Sequence, residues 1–330
     1  MHVTSQCGDN RVGLMVCTHP TWRLGVLVGL LGLCLTVITP LHGATAVILA
    51  GDEFGLPEDR PSLRLDPQGA DSPFASAGAL EITTSGGSTF LGSAVAISST
   101  WVLTAGHNID LNDNGLPDAG LSVNFHLPGI GIHSASAMHT HPLFTGFANP
   151  SLHFDLALLQ LSAPLPTNLL HPLIGVSAGV GDVVTLVGFG RSGFGSYGYT
   201  TSASLVNRRI GENTLETIST NANGGQLFRY TFHDPDDPNS LGNDRETIIG
   251  PGDSGGPVLV PWGEGHAVVG INTFVEGFGG RFGDIGGGVL LDQGSVDWIV
   301  ATTGIPEPGV LSLIVLSALL VFRRGRMHRA

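Results

Sequence analysis

"GPGDSGGP", residues 250–257, sets four glycines and two prolines around Asp253 and Ser254. Gly, Pro, Asp and Ser are the vocabulary of tight turns, so the octet alone specifies a turn. A serine hydroxyl is a weak nucleophile until a neighbouring base takes its proton and a third group orients that base. Two other stretches can supply those partners. In "STWVLTAGHN", residues 99–108, an apolar run leads into Ala105-Gly106-His107. In "HFDLALLQL", residues 153–161, Asp155 precedes an apolar run that would bury its carboxylate beside a core.

Each stretch alone is weak. The chain has 13 histidines, and an aspartate before a strand is commonly a turn residue. The order His107, Asp155, Ser254 around "GDSGGP" is far more specific, because it separates the chymotrypsin arrangement from subtilisins and α/β-hydrolases. Over 78–303 the chain therefore resembles the trypsin/chymotrypsin-like serine proteases. The resemblance extends to "GSAVAISSTWVLTAGH" (92–107), "HPLF" (141–144), "VGFG" (187–190) and the span from "GGGVLL" to "VDWI" (286–299).

The resemblance implies an all-β fold of two six-stranded antiparallel barrels with a short C-terminal helix and the active site between the barrels. It implies an endopeptidase in which Ser254 attacks the peptide carbonyl, His107 is general base and Asp155 orients it; the alternatives are a catalytically silent surface or matrix binding protein on the same scaffold, or an esterase using the same triad. It places the oxyanion hole at the N–H groups of Gly252 and Ser254. Ile248, six residues before the nucleophile, falls at the base of the family's primary pocket, with Thr273, Phe274 and Val275 along its walls. An isoleucine there cannot select Arg or Lys, so a small or medium apolar side chain is the expected preference. Asp253 falls where the family pairs an acid with a newly freed N-terminal amine. Cleavage after Ala46 would expose "VILAG" as that terminus, 60 residues before His107.

Short β-branched runs separated by Gly or Pro support the all-β reading independently: 94–97, 101–105, 183–190, 257–260 and 267–271. Residues 295–304 alone carry helical spacing, with Ser295 as the expected cap and Gly304 as the stop. Residues 47–77 read as an irregular lead-in, and 208–225 and 233–245 as surface loops. No repeat of propeller or solenoid length is evident.

Both ends of the chain point to export. An apolar run at 24–38 follows Arg23, and Ala44-x-Ala46 offers a signal-peptidase site. Residues 1–46 thus read as a signal peptide, with Met15 a second plausible start; a retained membrane anchor is the alternative. At the other end, Pro306-Glu307-Pro308, an apolar run at 310–322 and four arginines resemble the PEP-CTERM sorting signal of Gram-negative bacteria, across 304–330. That resemblance implies an exosortase-type partner, transient contact with the inner membrane, and a cell-surface or matrix destination. The alternative is an ordinary C-terminal anchor, oriented by the arginines.

Composition excludes several functions. There is no lysine, and residues 47–303 hold 25 acidic residues against eight arginines, a charge of −17. No basic footprint exists for nucleic acid. Cys7, Cys17 and Cys34 all precede Ala46, so the mature chain has no disulfide and no thiolate for zinc or nucleophilic attack. No cofactor is required by this chemistry. "DLNDNGLPD", residues 110–118, matches the first half of an EF-hand loop at Asp110, Asn112, Asn114 and Gly115. Position twelve is Leu121 where that loop needs a bidentate glutamate, leaving a looser calcium site with Asp118, or a solvated turn.

Overall fold

The computed structural model describes residues 48–305 apart from 57, 148–151, 168, 170, 173 and 278. The stretch read as a signal peptide, Val47 and most of the stretch read as a sorting signal, from 306 onward, lie outside the described residues. Among the described residues no helix is long and apolar enough to cross a membrane.

The first half forms β1 (Ala77–Thr83), β2 (Thr89–Ala96), β3 (Trp101–Thr104), β4 (Ser122–Leu127), β5 (Gly131–Thr140) and β6 (Ala157–Leu161). They close in the order β1-β2-β3-β6-β5-β4 into an antiparallel barrel. Period-two patterning drives the closure. In β4, Val123, Phe125 and Leu127 are buried while the residues between them are not. Leu80 of β1 faces Gly92 on one side and Phe125 on the other, which seals the ring.

The second half contributes β7 (Val183–Gly188), β8 (Ser192–Phe194), β9 (Gly198–Thr201), β10 (Arg209–Thr214), β11 (Thr217–Thr220), β12 (Gln226–Thr231), β13 (Pro257–Trp262), β14 (Gly265–Glu276) and β15 (Ile285–Leu290). Seven of these form one sheet, β10-β7-β13-β14-β15-β12-β11, and β8-β9 is a separate hairpin. The expected second barrel of six strands is thus barrel-like with an extra strand. Its seam between β10 and β12 has no backbone ladder. Instead Asn213 Nδ2 donates to Thr231 O at 2.9 Å and to Thr247 O at 2.7 Å, and a side chain bridges the gap.

Two sequence expectations change here. Residues 208–225 are largely strand: β10 alternates buried and half-buried positions, a period hidden by its Arg, Glu, Asn and Thr content. The lead-in is irregular but fastened to the fold. Arg208, fully buried, donates to Asp66 at 2.8 Å, to Gly69 O at 3.1 Å and to Ala77 O at 3.2 Å. Arg64 donates to Asp59, Arg245 O and Glu246 O. Breaking one such pair strands a buried charge, at a cost of about 3–5 kcal/mol, and these contacts tie the lead-in to the fold.

The helix, α1 (Gln293–Thr303), begins earlier than Ser295. Asp292 is the cap, its carboxylate accepting Ser295 N–H at 2.8 Å. Gly304 ends the helix in the left-handed region, φ 70°. Val296 and Ile299 of α1 pack with Val95, Leu103 and Ile271 in a core shared by both halves.

Candidate active site

β3 runs straight into a 3-10 turn, Gly106–Asn108, that presents His107 at the edge of a cleft. Asp155 stands between a second short turn, Leu152–Phe154, and β6, and is wholly buried. Its two oxygens serve one residue. Oδ1 accepts His107 N–H at 2.8 Å and Oδ2 meets His107 Nδ1 at 2.6 Å. A carboxylate only accepts, so this contact puts the ring proton on Nδ1 and leaves the Nε2 lone pair pointing away from Asp155. Gly106 makes the approach possible: a Cβ there would lie 3.1 Å from Asp155 Oδ1 and 2.9 Å from the Phe144 ring. Phe147 lies against the imidazole, ring centroids 4.6 Å apart.

Ser254 sits in the turn between Ile249 and β13. Gly252 at φ 102° and Gly255 at φ 87° adopt conformations that L side chains rarely reach, and this gives the turn its shape. Among the described residues, the N–H groups of Gly252 and Ser254 donate to no other group of the protein. Asp253 N–H donates to Gly250 O at 3.3 Å and Gly256 N–H to Asp253 O at 2.7 Å. His107 and Ser254 line the same cleft of about 660 Å³, so the structure brings all three expected residues to one place.

The cleft also holds the expected wall. Thr273, Phe274 and Val275, at the end of β14, line it. Ile248 does not. It is fully buried in the second core with Val184 and Phe228, and its neighbour Ile249 takes the position on the wall. Tyr199 of β9 had no signal in the sequence, yet it forms part of the same wall. Its ring packs where a Cβ on Gly250 would fall at 2.7 Å, and Arg191 lies 5.3 Å from its centroid. Burial pushes the Tyr199 hydroxyl pKa up strongly, with nearby Asp253 adding to the effect, so it remains a neutral phenol. The one acid on the wall, Glu276, is half exposed and paired with Arg229 at 3.2 Å.

Asp253 is completely buried, as is the incoming chain at 48–50. Its Oδ1 accepts Gly190 N–H at 2.9 Å and Oδ2 accepts Gly250 N–H at 3.3 Å. Burial outweighs these contacts and pushes the carboxyl up to about 7. The segment after Val47 enters the same loop: Ser192 Oγ donates to Ile48 O at 2.8 Å, Leu49 N–H to Ile248 O at 3.0 Å and Ala50 N–H to Gly193 O at 2.9 Å.

In the loop after His107 the expected calcium ligands hydrogen-bond within the loop itself. Asp110 gives Oδ1 to Asn114 N–H at 3.0 Å and Oδ2 to Gly115 N–H at 2.7 Å. Asp118 accepts from Leu111 N–H and from the Asn112 side chain. The oxygens serve the loop's own amides, and the described residues contain no metal-like cluster of acidic, His or Cys side chains.

Residues 70–287 match the family described as Trypsin. A search of curated proteins gave no match. Among solved structures, a thermostable serine protease, AL20, from an extremophilic microorganism is 15% identical, with a TM-score of 0.49. That alignment covers 71% of this chain and 99% of the other. The protease Anisep from Arthrobacter nicotinovorans is also 15% identical, with a TM-score of 0.47, over 71% of this chain and 97% of its own.

Proposed function

Since the chain belongs to the trypsin family of serine proteases, we propose that it is an exported endopeptidase with His107, Asp155 and Ser254 as its triad. The observation that carries this reading is the two-point grip of Asp155 on His107, which commits the imidazole to one tautomer beside Ser254. His107 Nε2 takes the Ser254 proton as Oγ attacks the substrate carbonyl. It then returns that proton to the leaving amine. Asp155 stabilises the imidazolium formed between those steps. Gly252 and Ser254 N–H, which have no acceptor among the described residues, receive the oxyanion. Each such donor is worth about 2.7–4 kcal/mol in the transition state.

The cleft favours a small or medium apolar residue before the scissile bond. Val275 and the Tyr199 ring narrow it, and its one lining acid is engaged by Arg229 at the rim. Digestion of a mixed peptide library with the secreted protein tests activity and preference together. Cleavage after Ala or Val with Arg and Lys sites intact is the expected pattern. Rapid cleavage after Arg would overturn the preference, and no cleavage of any peptide would overturn the endopeptidase reading.

Export follows the signal segment at 1–46, and the tail from 304 is handed to exosortase-type sorting machinery at the inner membrane on the way to the cell surface. Signal removal supplies the amine for Asp253, so no separate propeptide step is needed. The entry of 48–50 into the loop that binds Asp253 supports this. The pH dependence has a definite sign. Without an amine, Asp253 titrates near 7 in the native state against about 3.9 when unfolded. Its stabilising contribution is full below about pH 4 and is lost as the pH rises through 7. Unprocessed chain should therefore lose melting temperature between about pH 4 and 7. Processed chain, with the carboxylate paired, should not, and Asp253→Asn should flatten the unprocessed curve. An active enzyme whose N-terminus began well downstream of Ile48 would exclude this route.

A further inference from the structure

The turn that carries Ser254 belongs to the second half of the protein, but its carbonyls are held by the first. Ser93, 1% exposed at the middle of β2, donates from Oγ to Gly252 O at 2.5 Å and accepts Phe189 N–H at 3.1 Å. Ser93 N–H donates to Ser254 O at 2.8 Å. Asn108, next to the catalytic histidine and 6% exposed, donates from Nδ2 to the same Ser254 O at 2.9 Å and to Thr104 Oγ1 at 2.9 Å. Thr104 Oγ1 in turn donates to Ser93 O at 2.8 Å. The six residues form one continuous, largely buried network.

Two glycines give this network its space. A Cβ on Gly92 would lie 2.8 Å from Asn108 Nδ2, and one on Gly255 would strike both Thr104 and Asn108.

We propose that Ser93 and Asn108 are positioning residues for the oxyanion hole, acting through Gly252 and Ser254. The inference rests on the protease reading above. Its physical basis is the rigidity of the peptide unit: only φ and ψ are soft. With Gly252 O held, ψ of Gly252 and φ of Asp253 cannot drift. With Ser254 O held by two donors, ψ of Ser254 is set. The Asp253 side chain is held between these points by Gly190 and Gly250. Gly252, free of a side chain and at φ 102°, is the residue most able to rotate away, so its carbonyl is where an anchor matters most.

This arrangement serves a domain without disulfides. All three cysteines precede residue 48, so no disulfide can join the histidine turn, β2 and the nucleophile turn, and hydrogen bonds do so alongside the apolar core. Asn108 connects the base's turn directly to the nucleophile's carbonyl, and thereby sets His107 and Ser254 relative to each other as well.

The test uses full-length secreted protein carrying Asn108→Leu, which keeps the branched shape and removes the donor, and Ser93→Ala, which deletes one oxygen. For each, kcat and KM are measured on a peptide substrate per folded molecule, together with inhibition by a peptide boronate and by the unreactive product peptide. A displaced transition-state contact can cost about 100-fold. The expected result is a fall in kcat of about 10- to 100-fold with KM within threefold. Boronate affinity falls in parallel and product affinity is unchanged. Should Asn108→Leu melt within the assay range, Ser93→Ala carries the test. Unchanged kcat, or a loss expressed wholly in KM, overturns the proposal while wild type stays active. An inactive wild type would instead overturn the protease reading and this inference with it.

Discussion

Ser254→Ala should lower kcat by about a millionfold and abolish covalent labelling by an organophosphate. The magnitude is that seen when a triad nucleophile is removed and only binding and the oxyanion hole remain. The backbone supports so clean a result. The turn around Ser254 is shaped by Gly252 and Gly255 and held through main-chain atoms, and its side chain supports none of those contacts. Circular dichroism and melting temperature should therefore match wild type while hydrolysis disappears. Residual cleavage above about a thousandth of the wild-type rate, or labelling that persisted in the variant, would move the nucleophile elsewhere.

Asp155→Asn should lower kcat by about ten-thousandfold at neutral pH with little change in KM. Here the double contact makes the reasoning specific. Oδ1 accepts from His107 N–H and Oδ2 from Nδ1–H, so the carboxylate needs two acceptors side by side. An asparagine has one acceptor and one donor. With its oxygen kept on the His107 amide, its NH₂ faces Nδ1 and drives the imidazole proton to Nε2, where it blocks the general base. Reversing the amide costs the backbone contact in a site with no exposure to water. Activity should partly return above the pH at which hydroxide competes as base. A rate within tenfold of wild type at pH 7 would show that Asp155 does not set the tautomer.

The legibility of this protein in its sequence was uneven, for reasons that particular residues make plain. The histidine turn, Asp155 and the nucleophile turn were readable because each combines an unusual residue with a local backbone demand: a glycine before His107, a buried run after Asp155, glycines around Ser254. Strands β2, β3, β7, β13 and β14 were readable as β-branched runs. β10 was not, since its inward positions are Arg209, Gly211 and Asn213, none of them apolar. Burial there is made tolerable by hydrogen bonds, such as those of Asn213, that no hydropathy pattern reveals. The cap of α1 was misplaced for a similar reason. Asp292 and Ser295 are both good caps, and only the backbone geometry, extended at Asp292 with ψ 171°, shows which of them precedes the first helical residue.

Specificity lay furthest from view. The sixth residue before Ser254 is Ile248, but Ile248 and Ile249 both pack in the second core, and of the two only Ile249 also borders the cleft. Tyr199 reaches that wall from 55 positions upstream of Ser254 through a hairpin of its own.

From its sequence alone come the family, the order of the three proposed triad residues and a strongly acidic, cysteine-free stretch at 47–303, because each is written in composition or in contiguous residues. The tertiary structure alone decided which groups hold those parts in place: Arg208 on the lead-in, Asn213 at the open seam, Ser93 and Asn108 on the nucleophile turn. Each of these acts by a directional hydrogen bond to a carbonyl far away in the chain, and such a bond leaves no local pattern for a sequence to display.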